Sequence, residues 1–297
     1  MPATRVTVSE LRALHEASAR LDLRLGGLMD SLFPGARRAR YRGRGIEFDE
    51  VRPYQRGDDF RAIDWRVTAR TGSLYTRLFH EERERTLWLV CDGGPAMWFG
   101  TRNCFKWVLA ARVAALVAWA ARDAGERVGA VFHGDGRHCR RLPALAGDAG
   151  LNALFHRLAA AHRPEGDGAC GLVGAVRHLQ RLTRPGALVL FLGGFHVWPE
   201  GLDQALARLA RHRVLGAVWV HDPLERTLPR GGPLPVDDGA GCRGWLECDA
   251  PELRRRWRAA FEARRERVRR GFERLGGRML ELGTDEPLTS ALEQRLR

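Results

Sequence analysis

The feature that most constrains this chain is a short apolar run that ends in an aspartate. It reads Thr86-Leu-Trp-Leu-Val-Cys-Asp92 and is followed directly by Gly93-Gly94-Pro95. A run of this length, bounded by charge on one side and by glycine and proline on the other, predicts a strand buried on both faces. Ligands bind at the carboxyl ends of strands in open parallel sheets, so Asp92 is the first candidate site residue. The alternative is that Asp92 only caps the following turn.

The rest of the chain alternates apolar strands with amphipathic helices. Predicted strands cover residues 127–133, 187–192, 214–220 and 278–282, and predicted helices cover residues 9–30, 103–122, 149–161, 172–182, 199–212, 251–275 and 286–296. This alternation predicts right-handed crossovers and a mostly parallel sheet with helices on both faces. The Asp135-Gly136 pair predicts a hairpin that adds one antiparallel edge strand at residues 139–142.

Changes in composition divide the chain into two parts. Residues 1–82 hold the N-terminal helix and a segment of short strands and tight turns from Gly43 to Arg70. Residues 83–297 form the sheet domain, which carries an insertion rich in proline and glycine at about residues 222–250. The predicted fold class is therefore α/β, with the N-terminal part packed on the sheet.

The charge of the chain invites a nucleic-acid hypothesis, which its distribution disfavours. The net charge is +13, and of the 49 basic residues only Lys106 is a lysine. The arginines are spread along the whole chain and do not form one patch interleaved with aromatic residues. The predicted helix 251–275 has an arginine face, which we interpret as a solvated surface offset by glutamates; docking to an acidic partner is the alternative.

The apolar runs and the cysteines predict where the protein acts. The longest mostly apolar run, Val108 to Ala121, falls short of the roughly 20 residues that a membrane span needs. The N-terminus lacks the apolar centre of a secretory signal, so we expect a cytoplasmic protein. The six cysteines include no Cys-x-x-Cys pair, which predicts reduced thiols and neither a zinc site nor a disulfide framework.

The segment from Gly43 to Arg70 also carries a family resemblance. With Glu81 and with Asp92 at a strand end, it resembles the signature of the bacterial family called domain of unknown function 58. The matching residues are Gly45, Glu47, Phe48, Arg52, Tyr54, Gly57, Asp58, Asp59, Arg61, Ile63, Asp64, Trp65, Ala69 and Arg70. The resemblance implies a von Willebrand factor A-like domain with an N-terminal signature segment. It also implies a partner, because such proteins are often encoded beside a MoxR-type AAA+ ATPase and are thought to work with it.

The same resemblance permits a test of the metal site of von Willebrand-type domains. That site takes Asp-x-Ser-x-Ser after the central strand, a threonine from a later loop and an aspartate after the fourth strand, which together supply oxygens to Mg²⁺. Here Asp92 is present, but Gly94 and Ala96 replace the serines, and Gly193-Gly194 replaces the usual Ser-Asp. Cys170 falls near the threonine position. We therefore expect Asp92 to be vestigial, with no useful affinity for Mg²⁺ or Mn²⁺.

Enzymatic alternatives are weaker in this sequence. It has no Gly-x-Ser-x-Gly elbow, phosphate loop, His-Glu-x-x-His or dinucleotide fingerprint. Four histidines near predicted strand ends, His133, His138, His196 and His221, are interpreted as incidental. The best catalytic candidate is an acidic cluster that could hold a metal for phosphodiester hydrolysis: Glu47, Asp49, Asp58, Asp59 and Asp64. The arginines among these acids argue instead for ion pairs, so we expect no enzyme and no cofactor.

The favoured function is a non-enzymatic interaction module, an adaptor for an AAA+ ATPase. The signature segment mixes Tyr54, Phe60 and Trp65 with arginines, which are the residue types enriched at interface centres. With the loop after Asp92, this segment is expected to form the docking surface. The candidate partner-binding residues are Arg52, Tyr54, Asp58, Asp59, Arg61, Asp64, Trp65, Arg70, Met97 and Trp98. The alternatives are a metal-dependent phosphodiester hydrolase and a basic nucleic-acid-binding protein.

Overall fold

The computed structural model of the chain describes residues 3–20, 33, 42–55, 58–80, 85–134, 139–164, 171–237 and 243–296. By its internal contacts the chain divides into a larger unit, residues 1–34 and 85–297, and a smaller unit, residues 35–84. The N-terminal helix thus belongs to the same unit as the sheet. The described part of that helix, α1, is Val8–Arg20. The second half of the predicted helix, the Asp135-Gly136 turn and Cys170 lie outside the described residues.

The smaller unit is a two-stranded antiparallel sheet joined by helical turns. Strand β1 is Arg42–Pro53 and strand β2 is Tyr75–His80. A 3-10 turn at Phe60–Ala62 and helix α2, Trp65–Thr71, connect them. The prediction of short strands and turns was wrong at α2. Local chemistry explains this helix, because Asp64 caps its start and Gly72, with φ +72°, ends it in the left-handed region.

The larger unit is built on a six-stranded sheet. In chain order its remaining elements are β3 Thr86–Asp92, α3 Lys106–Asp123, β4 Arg127–His133, β5 Arg140–Leu145, α4 Gly147–Ala159, α5 Leu172–Leu182, β6 Leu188–Gly193, α6 Leu202–Ala210, β7 Val214–His221, α7 Pro223–Arg226, β8 Pro233–Asp237, β9 Arg243–Glu247, α8 Pro251–Glu273, β10 Arg278–Gly283 and α9 Leu288–Leu296. The strand order is β10-β7-β6-β3-β4-β5. All neighbours are parallel except β5, which runs antiparallel to β4 at the edge. The α/β prediction and its antiparallel edge strand are therefore confirmed.

Helices cover the central strands on both faces. On one face, Phe261 and Phe272 of α8 join the core that holds Phe191 and Trp219, together with apolar residues of α5 and α6. Helix α3 is apolar around almost its whole circumference because it is buried almost throughout. Helix α1 contacts α3 through Trp119, whose indole Nε1 donates to the Leu11 carbonyl at 3.0 Å. The core therefore spans both sides of β3, which places Asp92 at the centre of the carboxyl edge.

The predicted insertion contains the helical turn α7 and a separate hairpin. Strands β8 and β9 pair antiparallel, with Pro235 opposite Trp245. Asp249 anchors the base of this hairpin by accepting hydrogen bonds from the Gly231 and Gly232 amides. No helix in the described part of the chain is long and apolar enough to cross a membrane.

The cysteines depart in part from the predicted reduced thiols. Cys91, Cys104 and Cys248 are buried free thiols. Cys139 is disulfide-bonded, so the prediction of reduced thiols is wrong for this residue. The spacing of the cysteines could not predict this disulfide bond, because pairing depends on which segments of the chain meet in the fold.

Candidate functional site

Asp92 lies at the carboxyl end of β3, between β4 and β6, where its carboxylate accepts a hydrogen bond from the backbone of the following turn. Its Oδ1 accepts a hydrogen bond from the Gly94 amide at 2.9 Å. A Cβ atom at Gly94 would lie 3.0 Å from that oxygen, and one at Gly193 would lie 2.8 Å from the Asp92 Cβ. Glycine therefore permits the backbone to close around this carboxylate. The turn-capping alternative for Asp92 agrees with this geometry.

The residues around Asp92 do not fit a divalent ion. Gly94 and Ala96 offer no side-chain oxygen, and Gly193 packs directly against the aspartate. Among the described residues, no group of three or more His, Cys, Asp or Glu side chains is arranged to hold a metal. Mg²⁺ requires near-octahedral oxygen ligands, and one carboxylate that already accepts a backbone hydrogen bond supplies too few.

Lys106, at the first turn of α3, is a fully buried charge at this edge. Nζ lies 2.5 Å from Glu225 Oε1 and 2.7 Å from His196 Nε2. On its other side, His196 Nδ1 lies 3.0 Å from a guanidinium nitrogen of Arg264. The cluster of Lys106, His196, Glu225 and Arg264, which we call the lysine cluster, thereby joins α3, the loop after β6, α7 and α8.

The pKa shifts within the lysine cluster follow from burial and mutual charge. Burial lowers the pKa of Lys106, against the opposing effect of the Glu225 carboxylate. Burial would raise the pKa of Glu225, but the charge of Lys106, with smaller effects of the other neighbours, outweighs it and lowers that pKa. Burial and then the Lys106 charge lower the pKa of His196 to about 4. The 2.5 Å contact between Nζ and the Glu225 carboxylate is that of an ion pair, and His196, with its pKa at about 4, is neutral at pH 7.

Asp222 is a fully buried carboxylate at the same edge, and its hydrogen bonds connect three loops. It accepts from the Thr101 amide at 2.7 Å, the Thr101 hydroxyl at 2.6 Å, the Leu224 amide at 3.0 Å and the Thr284 hydroxyl at 2.5 Å. Its own amide donates to Glu225, which completes a capping box. Burial acts to raise the pKa of Asp222, but the hydrogen bonds from Thr101 and Thr284 outweigh it and lower that pKa.

The predicted partner contacts after Asp92 are only partly exposed. Met97 is fully buried, so its assignment as a partner contact is wrong. The 3-10 turn Pro95–Met97 directs this side chain inward, towards Gly194. Trp98 is half-buried, and its indole Nε1 donates to the Gly93 carbonyl at 3.2 Å. The exposed apolar side chains of this edge are instead those of Phe99 and Val197.

In the smaller unit, the predicted ion pairing is present at Asp58. Its Oδ1 lies 2.8 Å from the guanidinium of Arg52, and its Oδ2 accepts from the Gln55 amide at 2.8 Å. The Tyr54 hydroxyl donates to the Asp58 carbonyl at 3.3 Å. The hydrogen bond from Gln55, followed by that from Arg52, lowers the pKa of Asp58. These contacts hold the turn between β1 and the 3-10 turn.

The next two aspartates of the signature cap helical turns. Asp59 accepts from the Arg61 amide at 3.0 Å, and Asp64 accepts from the Arg66 and Val67 amides at 3.0 and 3.1 Å. Asp64 is buried, so its assignment as a partner contact is wrong. The side chains of Glu47 and Asp49 lie outside the described residues, so the acidic cluster as a whole is not seen.

Replacement of Asp64 by alanine is expected to lower the free energy of unfolding by about 1–2 kcal/mol, because two amides at the start of α2 lose their acceptor. Asp64→Asn keeps a capping oxygen and should lose only a few tenths of a kcal/mol. Urea unfolding of both variants measures the difference. Equal stability of Asp64→Ala and the parent would show that the cap contributes nothing.

Two aromatic residues of the signature are highly exposed. Phe60 is 68% and Trp65 is 67% exposed. The Phe60 ring contacts the Tyr54 ring at 5.5 Å. Arg61, Arg66 and Arg70 lie on the same two helical turns, and their side chains form no ion pair with the described residues. We call Phe60, Arg61, Trp65, Arg66 and Arg70 the aromatic-arginine patch.

Glutamates pair with part of the arginine face of α8, but the helix carries nine arginines and only four glutamates. Arg269 pairs with Glu266 and Glu273, and Arg265 pairs with Glu262 and with Glu281 of β10. Pairs spaced three or four residues apart each stabilise a helix by only a few tenths of a kcal/mol. The helix keeps a net positive charge, so the solvated-surface interpretation and the acidic-partner alternative both remain predictions.

Comparison with known proteins assigns the family. The profile described as "Protein of unknown function DUF58" matches residues 50–269. The uncharacterised protein Rv1480 of Mycobacterium tuberculosis is 31% identical over 266 residues, which are 89% of this chain and 83% of that protein. The uncharacterised protein YeaD of Bacillus subtilis is 29% identical over 112 residues, 38% of this chain and 26% of that protein.

Two solved structures share general similarity with the chain. One is the von Willebrand factor type A protein from Catenulispora acidiphila, at 14% identity and TM-score 0.35 over 50% of this chain and 35% of that one. The other is an aerotolerance-related membrane protein from Bacteroides fragilis with multiple mutations to serines, at 12% identity and TM-score 0.46 over 71% of this chain and 98% of that one. The sequence match over residues 50–269 and the α/β sheet lead to one conclusion: the chain belongs to the family of proteins of unknown function DUF58.

Proposed function

We propose that the protein is a non-enzymatic interaction module that acts as an adaptor for a MoxR-type AAA+ ATPase. The observation that carries the proposal is the aromatic-arginine patch, in which two highly exposed aromatic rings lie among three arginines without ion pairs to described residues. Large aromatic side chains and arginines are the residue types that dominate binding energy at protein interfaces.

The chemistry of the patch favours a partner with an acidic, partly apolar surface. Phe60 and Trp65 offer flat apolar area at low entropy cost, and Arg61, Arg66 and Arg70 offer forked donors for carboxylates. Because the capping aspartates beneath the patch are held by backbone amides, its helical turns are fixed before binding. Fixed contact residues reduce the entropy lost on association.

The choice of a MoxR-type AAA+ ATPase as the partner rests on the family resemblance. The proposal includes a degenerate metal site at Asp92, no catalytic role and no cofactor, with chaperone-like assembly or activation of other proteins as the outcome. It places this activity in the cytoplasm, where the ATPase has its nucleotide; the disulfide at Cys139 is an uncommon feature for that compartment.

The test is a pull-down from extract of the native cells with the full chain as bait. The parent should recover an AAA+ ATPase of MoxR type, identified by mass spectrometry. The Phe60→Ala, Trp65→Ala variant should recover at least tenfold less, because each exposed aromatic anchor contributes more than about 1 kcal/mol at an interface of this kind. The Tyr54→Ala, Arg61→Glu variant should show a similar loss.

Trp245→Ala is the matched control. Trp245 is 70% exposed on the β8–β9 hairpin, so the substitution removes the same side chain from an equally exposed position. This variant should recover the ATPase as the parent does. Equal recovery by the parent and the Phe60→Ala, Trp65→Ala variant, or no ATPase with any bait, would refute the proposal.

A further inference from the structure

The one lysine of the chain is buried at the sheet edge that carries Asp92. Of 49 basic residues, Lys106 alone is not an arginine. An ammonium is a compact point charge on a flexible stem, whereas a guanidinium is a flat fork. The ammonium can therefore place a compact positive charge in a small buried space where a guanidinium fork does not fit. The use of lysine at this one position, where every other strongly basic residue of the chain is arginine, therefore indicates a need for the ammonium group.

The contacts of Lys106 surround it with groups that also bind cations. Nζ donates to the Glu225 carboxylate and contacts a ring nitrogen of His196. The charge of the Asp92 carboxylate acts to raise the pKa of both Lys106 and His196, against the larger effect of burial. The Phe99 ring lies 5.8 Å from Nζ and contributes a cation–π contact.

We propose that the Lys106 ammonium is the resident cation of this sheet edge and supplies, among Asp92, His196 and Glu225, the positive charge that a divalent ion supplies in metal-dependent sites of this architecture. The residues around Asp92 do not match the ligand set that Mg²⁺ requires, and the role of Lys106 is independent of the proposed ATPase partner.

With the Lys106 ammonium in place, this sheet edge needs no metal ion and also repels one. A divalent ion beside His196 would face the positive charges of Lys106 and Arg264, both within hydrogen-bonding distance of the ring. Both ring nitrogens of His196 already have neighbours, Lys106 and Glu225 at Nε2 and Arg264 at Nδ1, so neither is left to bind a metal ion. The loop after β6 and the α7 turn are thereby fixed to α3 without any exchangeable ion.

The single lysine provides a direct test. In protein labelled with ¹⁵N-lysine, the side chain gives one Nζ resonance, which we expect at the shift of an ammonium at pH 7. Millimolar Mg²⁺ or Mn²⁺ should neither move nor broaden this resonance beyond the effect of the same ions on the Asp92→Ala variant. A neutral-amine shift at pH 7, or an ion effect that requires Asp92, would overturn the proposal.

A double-mutant cycle provides the second measurement. Lys106→Met and Glu225→Gln should each lower the melting temperature, the former by roughly 10 °C, because each leaves the other partner buried without its counter-charge. The double variant should regain at least half of the larger loss. Additive losses in the double variant, or a Lys106→Met protein that melts with the parent, would show that Lys106 does not neutralise this edge.

Discussion

Replacement of Asp222 by alanine should lower the free energy of unfolding by about 3–5 kcal/mol, the largest loss that we expect from a single carboxylate in this chain. The side chain is fully buried and accepts hydrogen bonds from Thr101, Leu224 and Thr284. Alanine would leave two hydroxyls and two amides without their acceptor. Each such group costs about 1–3 kcal/mol when buried, and partial relaxation limits the sum.

Denaturant unfolding monitored by tryptophan fluorescence measures this effect. Asp203 is a suitable control, since its contact to the Trp198 indole is exposed and Asp203→Ala should cost less than about 0.5 kcal/mol. If Asp222→Ala fails to fold, Thr101→Val and Thr284→Val should each cost about 1–2 kcal/mol. If Asp222→Ala lowered the free energy of unfolding by less than about 1 kcal/mol, the hydrogen bonds of Asp222 would not be what holds the three loops together.

The second large effect is a loss of stability in mild acid that originates at His196. Its pKa is lowered from 6.5 to about 4 in the folded protein, by burial and then by the charge of Lys106. Between these two values the unfolded chain binds the proton and the folded chain does not. This contribution is therefore complete above pH 6.5, declines as the pH falls towards 4, and amounts to at most about 3 kcal/mol.

His196→Gln isolates this contribution. The variant removes the titrating ring but keeps a polar side chain beside Lys106 and Arg264. The free energy of unfolding of the parent should fall between pH 6.5 and 4 by about 2–3 kcal/mol more than that of His196→Gln. Parallel pH profiles for the two proteins would mean that the ring is protonated equally in the folded and unfolded states. The side chain is 24% exposed, so the lower end of the range is the more realistic expectation.

The fold was predictable because its signals are local. Each buried strand is a continuous apolar run, and each helix on the sheet has its own apolar face, so β3, β6, β7 and their crossovers follow from single segments of sequence. Helix α2 was not predicted, since seven residues are too few to show a period and its existence depends on one cap. The helix cap at Asp64 therefore outweighed the pattern of the segment, which predicts short strands and turns.

The site was much less predictable because its contacts are distant in sequence. Lys106 meets residues 90 and 119 positions away, and no local pattern of sequence links these positions. One signal was available, the presence of a single lysine among arginines. This signal marks Lys106 but does not identify His196 or Glu225 as its neighbours. Likewise, Met97 and Asp64 have interface-type identities, but their burial depends on how the following turns close.

The strand order has a consequence for synthesis of the protein on the ribosome. Strand β3 pairs with β4, the next strand along the chain, but its other neighbour is β6. Leu87 therefore cannot pair with Leu188 until about 100 more residues have been synthesised. While residues between these strands are being added, one edge of an apolar central strand has no partner. Unpaired apolar edges are templates for aggregation. The nascent chain should therefore depend on ribosome-associated chaperones most strongly in the interval between the emergence of β4 and that of β6.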